Sequence, residues 1–227
     1  YGRTKETDER VTGVPGSYER CMRGIELLLE RKVPLKLKTM AMTLNVHELD
    51  DLKQWAEDLG LEFRWDPLLN PRLDGSAGPT QFRLPPQQVL ELDLKDQKRV
   101  QAFLEFAESP FWGSPNSDSL YTCGAGRTSF AIDSSGSLGV CIMARDPGYD
   151  LLKGSFREGW HDIEESVLAL RRIKDTPCRT CDLHALCGQC PGWALMENGD
   201  AETPVEYLCT IAHLRGNAIL KCLTRRP

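Results

Sequence analysis

Cys178-Arg-Thr-Cys181-Asp-Leu-His-Ala-Leu-Cys187-Gly-Gln-Cys190 is the stretch that decides the fold of this chain, because it places four thiols within thirteen residues. Relaxed disulfides require Cα atoms about 4.4–6.8 Å apart with matched Cβ directions, and four cysteines this close cannot all pair among themselves in that geometry. Steps of the form Cys-x-x-Cys instead turn two thiolates towards one metal. The stretch therefore predicts that the C-terminal half folds around metal, with iron–sulfur clusters favoured.

The composition is that of an ordinary soluble globular protein. Of its 227 residues 41% are hydrophobic and 27% charged, enough for one large domain or two ordinary ones. The net charge of −5 provides no basic field for nucleic acid or an anionic membrane, and no apolar run approaches the roughly 18 residues of a span. Nine cysteines without a recognisable secretion signal indicate a reducing, cytoplasmic compartment and metal ligation instead of disulfides.

The first half of the chain alternates helices with strands, a pattern that builds parallel α/β sheets. Apolar residues recur every three or four positions in two stretches, and a strand-length run with few breakers follows each of them. We expect a polar loop at 1–16, helices at about 18–32 and 46–59, and strands at about 35–43 and 61–66. In such sheets the catalytic and ligand-binding residues lie at the carboxyl ends of the strands, which are residues 43–45 and 66–70 here.

Polar residues and glycine mark the ends of these predicted helices. Ser17 is suited to cap the first helix, and Asn45 with Glu48 has the spacing of a capping box before the second. Gly60 follows the second helix, where a left-handed residue is wanted. For Asn45 this local role is favoured over a role as a ligand.

The second half begins after a connector rich in Pro and Gly at about 67–88. We expect a helix at about 86–108, a loop at 109–119 and a domain boundary between about 76 and 108. A β-hairpin with its turn at Asp133–Gly136 brings Cys123 and Cys141 towards the same end. Three further elements are expected: a helix at about 162–173, a short helix after Cys190 that ends at Asn198-Gly199, and a last helix that begins near Cys209.

Zinc is the alternative to iron–sulfur clusters. A structural zinc site needs four nitrogen or sulfur ligands in a closed tetrahedron, and the four clustered thiols could form one. That arrangement leaves Cys123, Cys141 and Cys209 without a fourth partner, unless His184 or His161 joins them. Paired Cys-x-x-Cys knuckles also stand about 12 residues apart or more, whereas only five residues separate Cys181 from Cys187. Spacing therefore favours clusters without excluding zinc.

The order of the cysteines closely resembles the seven-cysteine pattern of the SPASM domain. The pattern here is Cys123-x12-Gly136-x4-Cys141, a gap, Cys178-x2-Cys181-x5-Cys187-x2-Cys190, a gap, and Cys209. The resemblance covers about residues 120–212 and departs at one point, since the family commonly has three residues between the last two clustered cysteines. SPASM domains extend radical S-adenosylmethionine (SAM) enzymes, including maturases of sulfatases and peptides.

Residues 1–49 resemble the second half of the radical SAM partial (β/α) barrel, entered near the end of its fourth strand. The resemblance thus implies an α/β fold: the second half of a TIM-like barrel at 1–85, a connecting helix and loop at 86–119, and a small α+β cysteine-rich SPASM domain with a C-terminal helix at 120–227. The SAM-cluster motif of the family, Cys-x3-Cys-x2-Cys, does not occur in this chain. We therefore expect a fragment of a longer enzyme, inactive by itself.

The resemblance also implies roles for individual residues. Cys178, Cys181, Cys187 and Cys209 match the ligands of an outer auxiliary [4Fe–4S] cluster, and Cys123, Cys141 and Cys190 match those of an inner one. Arg10, Asn45 and Asp66 lie at loops and strand ends where contacts to SAM are expected. Cys21 and Cys222 match no motif and are expected to be ordinary core or surface thiols.

The function implied is oxidoreductase chemistry on a peptide or protein side chain, started by hydrogen abstraction by a SAM-derived radical. The auxiliary clusters would transfer electrons or contact the substrate, with ferredoxin or flavodoxin as the electron donor, and neither nucleic acid nor a membrane is expected as partner. With only three thiols, the inner cluster is expected to have one iron without a cysteine ligand. Water, Asp118, another side chain or substrate would occupy the open position on that iron. The rival is a zinc-stabilised protein-binding module without redox chemistry, and a standalone electron carrier is disfavoured by the α/β half.

Overall fold

A computed structural model describes residues 1–107 and 118–220, which mix helices with strands as the sequence predicts. The α-helices are α1 (Lys5–Thr12), α2 (Ser17–Glu30), α3 (Leu49–Asp58), α4 (Pro86–Lys95), α5 (Gln97–Ala107), α6 (Phe156–Ala169), α7 (Pro191–Asn198) and α8 (Glu206–Arg215). The strands are β1 (Lys36–Met40), β2 (Glu62–Asp66), β3 (Ala131–Ile132), β4 (Ser137–Cys141) and β5 (Ala144–Asp150). In the described ranges no helix is both long enough and apolar enough to cross a membrane.

The chain forms two compact units. The first takes residues 1–69 and 79–85, and the second takes 70–78 and the chain from 86 onwards. The helices between 86 and 107 therefore belong to the second unit.

In the first unit, β1 and β2 pair in parallel, which confirms the arrangement expected from the alternation of helix and strand. Met40 stands opposite Asp66, so the two strands end at the same level. The connecting helix α3 buries its apolar residues at three- and four-residue spacing (Leu49, Leu52, Ala56). Gly60 follows α3 with a φ of +70°, the left-handed conformation predicted for it.

Helix α1 occupies much of the segment predicted as a polar loop, so that prediction was wrong. The helix is polar and carries no apolar stripe, which is the signal that sequence periodicity detects. Its ends explain it: the Thr4 hydroxyl accepts a hydrogen bond from the Thr7 N–H at 3.3 Å, and Gly13 closes the helix with a φ of 68°. Local capping and the side-chain bonds of Thr4 and Thr7 to Glu48 hold this segment.

The capping roles predicted for Ser17 and Asn45 were also wrong. The Ser17 hydroxyl donates to Asp8 Oδ2 at 3.0 Å instead of accepting from its own helix, which has Gly16 as its N-cap. Asn45 precedes a short 3₁₀ turn at Val46–Glu48, not an α-helix, and its side chain makes no cap bond. Both side chains instead form hydrogen bonds with residues outside the predicted helices, which local sequence spacing does not reveal.

The second unit contains two helices, α4 and α5, where the sequence predicts one at about 86–108. Asp96 separates them, because its carboxylate accepts hydrogen bonds from the Lys98 and Arg99 N–H groups at 3.0 and 3.3 Å and so starts a new helix. The loop predicted at 109–119 falls almost wholly at 108–117, outside the described residues.

The predicted β-hairpin is confirmed. Strands β3 and β4 pair antiparallel, and Gly136 turns the chain between them with a φ of +84°. A third strand, β5, which we did not anticipate, pairs antiparallel with β4. These strands and α6 enclose an apolar core, formed by Tyr121, Ala125, Leu138, Val140, Ala144, Ile163 and Val167.

Helix α6 begins six residues earlier than the predicted 162 and ends at Ala169, before the predicted 173. The helix begins earlier because of a capping box that was not predicted: Ser155 and Glu158 exchange side-chain and backbone hydrogen bonds. The short helix predicted after Cys190 is confirmed as α7, closed by Gly199 with a φ of +70°. Cys209 lies in α8, which begins at Glu206 as expected.

Candidate metal centre

Three of the seven thiols predicted as metal ligands are neighbours, with Cys141 at the end of β4 and Cys190 at the start of α7. We call them the three-thiol group: Cys123, Cys141 and Cys190. Burial raises the pKa of the Cys190 thiol, and the nearby Cys141 and Cys123 raise it further.

Backbone amides already point at two of these sulfurs. The Met143 N–H donates to Cys141 Sγ at 3.3 Å in the turn between β4 and β5. The Trp193 N–H donates to Cys190 Sγ, also at 3.3 Å, because Cys190 is the N-cap of α7. Such N–H···S bonds favour the thiolate over the neutral thiol, and thiolate is the form that binds metal.

A glycine brings the two elements together. Gly192 begins α7 so close to the turn after β4 that an added Cβ would stand 2.7 Å from the Met143 carbonyl oxygen. Because real Cβ atoms do not approach a backbone oxygen this closely, only glycine allows the contact. The start of α7, with Cys190, thereby reaches the end of β4, with Cys141.

Tyr121 lies beside the three-thiol group and was missed in the sequence. Its side chain is 7% exposed within the apolar core. Burial raises its pKa above the ordinary value, and Cys141, Cys190 and Cys123 each add to the rise. Nothing in the local sequence distinguishes Tyr121 from a core aromatic, so only the fold could reveal this neighbour.

The remaining four thiols gather around two short 3₁₀ turns, Pro177–Thr180 and His184–Leu186, and the first turns of α8. We call them the four-thiol group: Cys178, Cys181, Cys187 and Cys209. Burial raises the pKa of Cys187 to about 11, and Cys178, Cys209 and Cys181 add to the rise. Burial also raises the pKa of Cys178, with further contributions from Cys181 and Cys209. The assignment of the two groups to two metal clusters stays a prediction.

A cavity of about 60 Å³ lies between the two groups. Its wall includes Cys123 and Cys190 from the three-thiol group and Cys178 from the four-thiol group. The rest of the lining mixes charged, polar and apolar residues: Arg172, Glu202, His184, Gln189, Thr122, Thr176, Leu120, Pro191 and Ala201. By the measure of about 10–15 Å³ for each water, this space admits roughly four waters or one small polar group.

His184 borders this cavity as a largely neutral imidazole. Burial lowers its pKa, and the neighbouring Arg172 cation lowers it further. A neutral ring nitrogen can ligate metal, so His184 remains a candidate ligand of a zinc site, as the sequence suggested.

The thiol groups are sets of neighbours and not finished coordination spheres. Among residues 1–107 and 118–220, no three His, Cys, Asp or Glu side chains stand close enough together to hold a metal ion. The chemistry of the donors nevertheless fits iron–sulfur ligation, since all seven are half-buried thiols and two already accept N–H bonds.

Asp118, proposed as a fourth ligand of the inner cluster, has another partner in the structure. Its carboxylate is 76% exposed and accepts a hydrogen bond from the Arg179 guanidinium. Cys21, expected as a core or surface thiol, is exposed on α2, and Cys222 lies outside the described residues.

The residues predicted to contact SAM lie in the first unit. Asn45 is completely buried, and its Oδ1 accepts from the Met42 N–H at 2.9 Å. Its Nδ2 donates to the carbonyl oxygens of Tyr1 and Met40, both at 2.8 Å. These bonds occupy the amide within the protein, where it fixes the chain after β1.

Asp66 and Arg10 are more accessible. Asp66 ends β2, and its Oδ1 accepts from the Leu68 N–H at 3.0 Å while Oδ2 stands 3.7 Å from Lys38 Nζ. Arg10 lies exposed in the last turn of α1. Asn45 and Asp66 therefore share the carboxyl edge of the sheet, and a contact of all three residues with SAM stays a prediction.

Comparison with known proteins gives one distant relative. The chain is 22% identical over 218 residues to the AdoMet-dependent heme synthase of Methanosarcina barkeri, covering 88% of this chain and 62% of that protein. No family model matches the chain, and no solved structure resembles it significantly. The chain thus spans about six tenths of the length of this relative, whose name denotes an enzyme that depends on SAM.

Proposed function

We propose that this chain is the C-terminal portion of a radical SAM oxidoreductase, in which a SPASM-like half holds two auxiliary iron–sulfur clusters. The observation that supports the proposal is that Cys123 and Cys141 lie near Cys190, and that Cys181 and Cys209 lie near Cys178 and Cys187. Cys123, Cys190 and Cys178 line one cavity. A single zinc site needs only four ligands, whereas two sets of thiolates suit two clusters. The dependence of the distant relative on AdoMet supports the SAM-dependent class.

The first unit would contribute the second half of a partial (β/α) barrel. Its support is the parallel pair β1–β2 with the connecting helix α3, which is a barrel-type repeat. Asp66, at the carboxyl edge, has one oxygen bonded to backbone and one near Lys38, so it could accept a hydrogen bond from a bound ligand. The SAM-cleaving cluster motif is absent from this sequence, so this chain alone would not cleave SAM.

Iron–sulfur clusters supply one-electron transfer when bound, and the protein supplies position and environment for it. Cys178, Cys181, Cys187 and Cys209 would hold one cluster with a full set of thiolates, suited to electron transfer with a donor such as ferredoxin or flavodoxin. Cys123, Cys141 and Cys190 would hold the other with one thiolate fewer, which leaves room for a substrate group. The N–H groups of Met143 and Trp193 would stabilise the sulfurs of this second set.

Metal analysis of the anaerobically purified chain tests the proposal. We expect iron and inorganic sulfide with broad absorbance near roughly 400 nm. A colourless protein with stoichiometric zinc would instead support the rival, a zinc-stabilised protein-binding module. Cys141→Ala and Cys178→Ala should each lower the iron content, whereas Cys21→Ala, an exposed thiol outside both groups, serves as the matched control and should not.

Two substrate classes follow from different observations. The resemblance to peptide and sulfatase maturases favours a peptide or protein side chain, and the open position of the three-thiol cluster would bind its thiolate or carboxylate. The name of the distant relative favours a heme precursor instead. A thiol-bearing peptide should change the electron paramagnetic resonance (EPR) signal of one cluster, with the response kept in Cys178→Ala and lost in Cys141→Ala. If only a porphyrin changes the signal, the heme-precursor class is supported.

A further inference from the structure

A short antiparallel pairing holds the segment that places Arg172 at the cavity. The Arg172 N–H donates to the Asp118 carbonyl at 2.8 Å, and the Leu120 N–H donates to the Leu170 carbonyl at 3.2 Å. Ser119 and Arg171 form the bridge between these two bonds. Residues 170–172 are thus held extended against 118–120, close to the first thiol at Cys123.

Neighbouring residues on an extended segment point to opposite sides, and the two consecutive arginines do so here. Arg171 is exposed, and its guanidinium donates to the carbonyl oxygens of Leu168 and Leu170. Arg172 is half-buried and lines the cavity with Cys123, Cys178 and Cys190.

The charges around this cavity do not cancel once thiolates form. Arg172 is its cation, Glu202 is its carboxylate, and His184 is largely neutral. Glu202 accepts hydrogen bonds from the N–H groups of Ile173 and Lys174 at 3.0–3.3 Å, which offset its charge. Seven thiolates with bound clusters would add net negative charge on both sides, and Arg172 is placed to balance it.

We propose that Arg172 is the charge-balancing residue shared by the two thiol groups, and that its cation favours the reduced form of the metal clusters they hold. This inference rests on the proposed function. Reduction adds one electron to a cluster from a low-potential carrier, with no bond broken and no proton transferred, so the negative charge grows by one. A cation close by in a partly desolvated site stabilises that extra charge and raises the reduction potential.

The test is an EPR-monitored reduction titration of the anaerobically purified chain, with dithionite as the reductant. We expect Arg172→Gln to shift the reduction equilibrium against the reduced form by about tenfold or more, which for one electron is about 59 mV. Arg172→Lys keeps the charge and should stay within about threefold of the wild type. Arg171→Gln is the matched control, one residue away on the solvent side, and should leave the titration unchanged. Iron and sulfide content is measured in every variant.

The outcomes separate this inference from the function on which it rests. A wild-type chain without iron and sulfide refutes the proposed function itself. Full loading with an unchanged potential in Arg172→Gln, or an equal shift in Arg171→Gln, refutes the role of Arg172 alone. If Arg172→Gln loads poorly, Glu202→Gln gives the second measurement: removing the carboxylate from the same cavity should raise the potential, and no change overturns the inference.

Discussion

Removing one partner of a buried ion pair in the second unit should be among the most destabilising single changes there. Asp93 is completely buried in α4. Its Oδ2 accepts from Arg215 Nε at 2.8 Å, and its Oδ1 accepts from Arg99 Nε and Nη2 at 3.0 and 2.9 Å. One carboxylate thereby joins α4, α5 and α8.

The cost of removing the carboxylate follows from the burial of its partners. The side chain of Arg215 is 4% exposed and lies with its guanidinium 4.5 Å from the centre of the Phe103 ring, so it cannot regain water. Arg99 is 23% exposed and can turn towards solvent. Breaking a buried pair by removing one partner costs about 3–5 kcal/mol, because the other charge stays buried. We expect Asp93→Ala to cost this much, mainly through Arg215.

The same pair reaches the four-thiol group. Arg215 Nη1 donates to the Leu186 carbonyl at 3.3 Å, directly before Cys187. Loss of Asp93 should therefore loosen the segment between Cys181 and Cys187 as well as the three helices.

Native-state hydrogen exchange on the anaerobically purified chain measures both effects. Amides of α4 and α8 should lose about 3–5 kcal/mol of protection in Asp93→Ala, while those of α3 in the first unit should not change. Lys153→Ala is the control, since it removes an exposed pair with Asp150 (3.0 Å, Lys153 83% exposed) and should cost at most about 1 kcal/mol. The apolar double variant Asp93→Leu with Arg215→Met should recover most of the loss. A loss below about 1 kcal/mol in Asp93→Ala, or a double variant no better than the single one, would refute the reasoning.

Three further predictions concern other parts of the chain. Gly192→Ala should destabilise the chain by about 1–3 kcal/mol and lower its iron content, because the added Cβ would stand 2.7 Å from the Met143 carbonyl oxygen. Thermal melting measures the loss, and Gly24→Ala, whose Cβ meets nothing within 4 Å, is the control that should show none. Burial alone would raise the pKa of Glu48, but hydrogen bonds from Thr7, Thr4 and the N–H groups of Thr4 and Arg3 hold it below the ordinary value. The stability that Glu48 confers is then present above about pH 4.3 and is lost as the pH falls through the lower folded-state pKa. Urea titrations at acid pH should therefore show a fall in the free energy of unfolding of the wild type that is absent from Glu48→Gln. Chelation and oxidation of the clusters should speed hydrogen exchange in residues 120–212 and leave the first unit partly protected, because the free energy of metal ligation stabilises the folded state. Equal protection of both parts after cluster loss would contradict this.

Local sequence signals predicted much of the secondary structure. The hairpin turn at Gly136, the short helix after Cys190 and the parallel strands around α3 followed from turn residues, helix ends and apolar spacing. The seven thiols stood out because metal ligands are restricted in residue type and spacing, and their ligation of metal stays a prediction. Where the prediction was wrong, at α1 and at Ser17, a polar helix or a tertiary hydrogen bond replaced the local pattern.

The residues by themselves determined that this chain carries seven thiols with the spacing expected of metal ligands, and only a family resemblance suggested how they divide. Cys187 and Cys190 are three residues apart, and nothing in that spacing assigns them to different groups. In the structure Cys190 caps α7, which Gly192 holds against the end of β4, whereas Cys187 lies half-buried near Cys178 and Cys209. The position of Arg172 between the two groups likewise depends on a pairing with residues 118–120, some fifty positions earlier. Sequence patterns report neighbours along the chain, and only the tertiary structure brings distant segments to one cavity.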